Sequence, residues 1–85
     1  DKIKSIKEII LKDLHLISGD EKDIENKISV RIRYRQQKQT CQLIKESDGY
    51  RVVFDEPQSG IAIGQSAVFY SDEVCLGGGI IEKVL

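Results

Sequence analysis

The residues of this chain best suited to chemistry are three arginines spaced two apart, Arg31, Arg33 and Arg35, with Tyr34 among them and Lys38 just beyond. On a strand, side chains two apart stand ~6.6 Å from each other, close to the spacing of successive phosphates along a nucleic-acid strand. Alternation puts Tyr34 on the opposite face, where a phenol ring is a core or barrel-mouth residue, or a platform for an unpaired base. The same row of cations also suits a plainer role, keeping an outer strand face hydrated and guarding a sheet edge. Spacing alone leaves both readings open.

The remaining reactive side chains point away from catalysis. Cys41 and Cys75 have no second Cys or His at ligand spacing, which argues against zinc and against a Cys-x-x-Cys redox pair and leaves packed or half-exposed thiols. His15 is the only histidine, and nothing in the sequence brings it to either sulfur. Asp55-Glu56 and Asp72-Glu73 fall at turns, where hydrated acids are commonplace. The run Gly77-Gly78-Gly79 lacks the Gly-Lys-Ser/Thr ending and the following helix of a phosphate cradle. No catalytic residue and no metal ligand is expected.

The elements that must hold these groups are read as strands. At 85 residues, with 40% hydrophobic and 32% charged residues, the chain has the composition of one small folded domain, burying roughly 60–65% of its unfolded surface. A net charge of -1 provides no global field toward nucleic acid, so any such role rests on local clustering of the 13 Lys and Arg. No apolar run reaches the ~18 residues of a membrane span and no secretory leader is evident, so a cytoplasmic protein is expected. The start at Asp1 rather than Met suggests a piece of something longer.

Residues 3–17 are ambiguous. Ile3, Ile6, Ile10, Leu14 and Ile17 have helical spacing, but residues 8–13 are rich in β-branched types. A strand over 8–13 with a turn at 14–17 is expected, then a polar loop at 18–23. Residues 27–35 alternate cleanly, with Ile28, Val30, Ile32 and Tyr34 on one face. Asp48-Gly49 marks a tight hairpin between strands over 41–45 and 51–54. Pro57 breaks the ladder, and strands follow over 66–70 and 73–81, the glycines marking a bulge, bend or close backbone approach at a barrel corner. The expected fold is all-β, a small Greek-key β-barrel of six or seven strands, with residues 1–26 as linker and opening strand and 27–85 as barrel body, one domain overall.

Taken in order, Arg33-Tyr-Arg35, Cys41, Val53-Phe-Asp-Glu-Pro57, Gly64-Gln-Ser-Ala-Val-Phe-Tyr70 and Cys75-Leu-Gly-Gly-Gly-Ile-Ile-Glu82 closely resemble the C-terminal domain of tRNA-specific 2-thiouridylases. Asp13-Leu-His-Leu-Ile17 is similar to that family's opening strand, with Leu16 where Trp is usual, and Ile63 stands in place of the usual Pro before Gly64-Gln65. The resemblance implies a β-barrel like the second domain of translational elongation factors. It also implies a parent enzyme that uses ATP with magnesium, in an N-terminal ATP-pyrophosphatase domain, to transfer sulfur to the wobble uridine of tRNA. The nucleotide loop is not in this sequence, and Cys41 and Cys75 do not match the family's catalytic cysteines. The implied partners are tRNA, the enzyme's N-terminal and central domains, and a sulfur-donor protein. The family's RNA-contacting positions fall on Arg33, Tyr34 and Gln65, while Arg31, Arg35 and Lys38 are added from strand geometry. The rival reading is a barrel that docks onto protein, either those domains or the sulfur donor; an independent translation-factor-like module fits less well.

Overall fold

A computed structural model describes residues 6–32, 37–47 and 49–85. Six strands are formed: β1 (Ile6–Leu16), β2 (Ile28–Arg31), β3 (Gln39–Glu46), β4 (Gly49–Gln58), β5 (Ser66–Ser71) and β6 (Val74–Val84), with a 3₁₀ helix at Glu21–Ile24. They close into a barrel in the order β1-β4-β3-β2-β5-β6, every neighbouring pair antiparallel. With β2, β3 and β4 consecutive and β1 returned beside β4, this is the expected Greek-key barrel.

Alternation builds the core. Ile9 and Leu11 of β1, Val30 of β2, Cys41 of β3, Val52 and Phe54 of β4, Ala67 and Phe69 of β5, and Ile81 of β6 are all fully buried. Burying each aliphatic or aromatic side chain of this size contributes roughly 1.5–3 kcal/mol. The segment read as a polar loop contains the 3₁₀ helix. Its N-cap Asp20 accepts from the Lys22 amide at 2.9 Å, and its Ile24 reaches the core.

Four expectations are corrected. The turn at 14–17 is not formed, because β1 continues to Leu16 and pairs along its length with β4 or β6. It bends there instead, through a bulge between Lys12 and His15 where Asp13 takes a φ of 56°. Of the alternating segment 27–35, β2 covers Ile28–Arg31 and the chain bends at Ile32, while residues 33–35 lie outside the described residues. The last strand extends beyond 81 to Val84. β4 does not stop at 54 but runs through Pro57 to Gln58; the break expected at Pro57 is a bulge instead, since β1 passes from Glu8 opposite Val53 to Ile6 opposite Gln58 and residues 54–57 of β4 bulge past Lys7. The Lys7 ammonium donates to the Asp55 carbonyl across that bulge at 2.7 Å.

Two glycines permit closure. At the mouth of the β3–β4 hairpin Gly49 pairs with Glu46 and has a φ of 150°, and a Cβ there would strike the Leu11 carbonyl oxygen. In β6, Gly77 has a φ of 149° opposite Leu16, and a Cβ would overlap the His15 carbonyl oxygen. Both are backbone obstructions, which cannot rotate aside as a side chain can. Gly77→Ala is therefore expected to destabilise the barrel by about 1–3 kcal/mol or more. A urea midpoint equal to that of the parent chain would contradict this close approach.

Candidate nucleic-acid interface

The strand β5 is the spine on which the candidate residues are arranged. Ala67 and Phe69 point into the core, so Val68 and Tyr70 face outward. On the neighbouring β2, Arg31 stands opposite Val68 and Ser29 opposite Tyr70. Arg31 is thus an outer-face residue, as the alternation predicted. Its guanidinium carbon lies 5.4 Å from the Tyr70 ring centroid, and its Nε is buried with no hydrogen-bond partner among the described residues.

Lys38 converges on the same ring from the start of β3. Its Nζ sits 4.4 Å from the Tyr70 centroid, within the range of a cation–π contact. It also donates to the Asp72 carbonyl at 2.9 Å and to the Glu73 carboxylate at 3.3 Å. Arg31 and Lys38 therefore share one aromatic platform. Sequence reasoning missed Tyr70, although the signal was available: in Ser66-Ala-Val-Phe-Tyr70 the large apolar Phe69 fixes the inward parity and leaves Tyr70 outside.

Gln65 occupies the other end of β5. The Gly64 amide donates to the Ile81 carbonyl and the Ile81 amide donates to the Gln65 carbonyl, each at 2.9 Å, which fastens this turn to β6. The Gln65 carboxamide folds back on the preceding loop. Its Oε1 accepts from the Ala62 amide at 2.8 Å and its Nε2 donates to the Gly60 carbonyl at 3.4 Å. The side chain thus braces its own turn. Each amide nitrogen carries two protons, so one N–H of Nε2 remains available to a ligand. Arg33, Tyr34 and Arg35 lie outside the described residues. The chain enters that segment from Ile32, directly after Arg31, which pairs three residues along β5 from Gln65.

Three cations elsewhere on the barrel, Arg51, Lys45 and Lys27, are occupied by carboxylates. Arg51 donates from Nε to Glu46 at 2.7 Å and from Nη1 to Glu8 at 2.6 Å, and these bonds, Glu46 first, raise its pKa further. Lys45 and the Tyr50 hydroxyl both donate to Glu21, at 2.9 and 2.7 Å, which holds that carboxyl below its usual range. Lys27 pairs with Asp55 at 2.6 Å. Of the two described arginines, Arg51 is compensated and Arg31 is not. Among the described residues no group of three or more His, Cys, Asp or Glu is placed to hold a metal ion, and no helix is long and apolar enough to cross a membrane.

The aminomethyltransferase β-barrel domain family matches residues 6–81. The chain belongs to that family. It is 49% identical over 69 residues to the tRNA-specific 2-thiouridylase MnmA of Pseudomonas paraeruginosa, covering 81% of this chain and 18% of that protein. With the enzyme of the same name from Stutzerimonas stutzeri it shares 56% over 57 residues, 67% of this chain and 15% of the relative. With that of Pseudomonas fluorescens the identity is 40% over 74 residues, 87% of this chain and 20% of the relative. The chain thus spans at most about a fifth of the length of these relatives. The resemblance drawn from the sequence holds: this aminomethyltransferase-type barrel is the C-terminal domain of the 2-thiouridylases.

The cysteines of this barrel domain separate by burial. Cys75 is exposed, whereas Cys41 is in the core and burial, reinforced by the nearby Asp55 charge, pushes its thiol up to about 12. The native state then keeps a proton that the unfolded chain loses near the ordinary thiol pKa of ~8.5. By linkage this contribution to stability is complete below pH ~8.5 and is lost as pH rises toward 12. Cys41→Ala is expected to lower stability at neutral pH yet to flatten its decline above pH 9. Parallel pH profiles of the two chains in urea denaturation would refute the assignment.

Proposed function

We propose that this barrel binds and positions tRNA for a 2-thiouridylase, the ATP-dependent sulfurtransferase that makes 2-thiouridine at the wobble position. The observation that carries the reading is the uncompensated Arg31 on the outer face of β2 and β5, beside the segment bearing Arg33, Tyr34 and Arg35 and three residues along β5 from Gln65. Phosphate contacts of this kind fix register and orientation, and base edges or stacking add discrimination. Arg33 would fork onto a phosphate, Tyr34 would stack or donate its hydroxyl, and the free N–H of Gln65 would reach a base edge. The relatives' name supports tRNA as the ligand. In this reading ATP with magnesium belongs to the parent enzyme's ATP-pyrophosphatase domain, the other domains and a sulfur donor are protein partners, and the enzyme works in the cytoplasm.

A second reading, docking of the barrel onto those domains or the sulfur donor, is favoured by one feature. Ile17 and Val74 are 65% and 63% exposed, and the Ile17 amide bonds to the Leu76 carbonyl, so both apolar side chains belong to the end of the barrel where β1 leaves and β6 begins. Val74 follows the Asp72-Glu73 turn that Lys38 touches, so this patch borders the arginine face, and a cross-linking map of the full enzyme with tRNA decides between the two readings. Cross-links from residues 31–38 to RNA support the first reading; cross-links from them to protein support the second.

Arg33→Ala in the full-length enzyme is expected to weaken tRNA binding and to reduce the slope of log affinity against log salt by about 0.7–0.9, one phosphate's worth. An unchanged slope would sink the phosphate assignment. The isolated chain, with a net charge of -1, is expected to bind tRNA well short of nanomolar affinity. A nanomolar dissociation constant at physiological salt would show that the barrel needs no help from other domains.

A further inference from the structure

We infer that Arg31, Lys38 and Tyr70 form a clamp for a backbone phosphate of bound RNA, with Glu73 as the displaceable counter-ion that occupies Lys38 in the free protein. The inference rests on the tRNA reading above and adds to it a second point of attachment, away from Gln65.

Three observations converge. First, the Arg31 guanidinium is half-buried against an aromatic ring, has a buried Nε without a partner, and faces no carboxylate among the described residues. A guanidinium in that setting lacks an acceptor, and its planar fork matches two oxygens of a phosphate. Second, Lys38 is brought to the same ring, although two like charges there repel. An anion between them relieves that repulsion. Glu73 supplies only part of this relief: its side chain is 96% exposed against 20% for Lys38, and it meets the ammonium at a long 3.3 Å. Exposed pairs of this kind are weak, so a phosphate held also by Arg31 can displace the carboxylate.

Third, the surface beside the clamp is cut low. Val68, opposite Arg31, lines a shallow trough of about 280 Å³ whose floor is completed by Gly78 and Gly79. Gly78 pairs with the outward Val68 and carries no side chain on this face, so a ribose-phosphate backbone can approach the sheet closely there. Asp13 at the other rim repels anions and confines the phosphate to the Arg31 end. Arg31 and Gln65 are separated by three residues of β5, about 10 Å, so one RNA strand can touch both.

The test titrates tRNA into the 85-residue chain by fluorescence anisotropy at several salt concentrations, with the amide spectrum of each variant checked for a retained fold. Arg31→Gln and Lys38→Gln are each expected to lower affinity about three- to tenfold and to reduce the salt slope by about 0.7–0.9. Glu73→Gln, at a site too exposed to disturb the fold, is expected to raise affinity about twofold. Tyr70→Phe should keep affinity and Tyr70→Leu should lose it, since the ring face is what orients the cations. If Arg31→Gln and Lys38→Gln bind as the parent does while Arg33→Ala binds more weakly, the clamp is wrong and the tRNA reading stands. A parent chain that takes up no tRNA even at low salt overturns the clamp, and the tRNA reading falls with it if Arg33→Ala also leaves tRNA binding by the full-length enzyme unchanged. Weaker binding by Glu73→Gln would overturn its role as counter-ion.

Discussion

Everything in this molecule depends on β6 lying backbone to backbone against its neighbours. Closing six strands into a cylinder leaves no free edge, but it requires β6 to serve β1 and β5 at once. At the glycine run there is no room for side chains. The His15 carbonyl occupies the space of a Cβ on Gly77, and Cβ atoms on Gly78 and Gly79 would come within 2.8 Å of the Ala67 carbonyl and 3.3 Å of the Lys12 carbonyl. The entropy lost in ordering three glycines is offset by the core that closure makes possible. β1 makes its own concession through the bulge at Asp13, which bends it around to meet β4 and β6 in turn.

The distribution of charge over this cylinder is uneven in a way that totals conceal. Around β1, β3 and β4 three cations are held by acids: Arg51 between Glu8 and Glu46, Lys45 on Glu21, Lys27 on Asp55. Such pairs contribute little stability individually, yet they cancel the local field. The β2–β5 face differs because its acids come only from the following turn, and Glu73 reaches Lys38 but not Arg31. A chain with a net charge of -1 can therefore present a cationic surface at one place, and local compensation decides where.

Much of this was legible in the residues. Asp48-Gly49 announced the β3–β4 hairpin, Pro57 the break in the β1–β4 ladder, and the glycine run a close approach. The course of β1 was harder, because Ile6, Ile10, Leu14 and Ile17 share helical spacing. Bulges near Lys7 and Asp13 shift the strand's own alternation and imitate that period. The end of β2 at Arg31 was also hidden, since the alternation passes through Ile32 without a sign of the bend there, and strand pairing is decided by neighbours that the pattern does not name. For the same reason Tyr70 was overlooked: its partners Arg31 and Lys38 come from β2 and the start of β3, and only the register of β2 with β5 unites them.

That register also explains how so small a barrel can present a defined surface. Gln65 is fixed by the mutual bonds of its turn with Ile81, and Arg31 by its place opposite Val68. Both are therefore positioned from one strand, whose inward Ala67 and Phe69 are locked in the core and whose outer edge rests on the glycines. A ligand that meets groups already held in this way orders fewer side chains on binding, so each contact keeps more of its strength. Glycine-dependent closure and the cationic face are thus parts of one arrangement: slipping β5 by one residue against β6 would turn Phe69 out, Tyr70 in, and leave Arg31 without its ring.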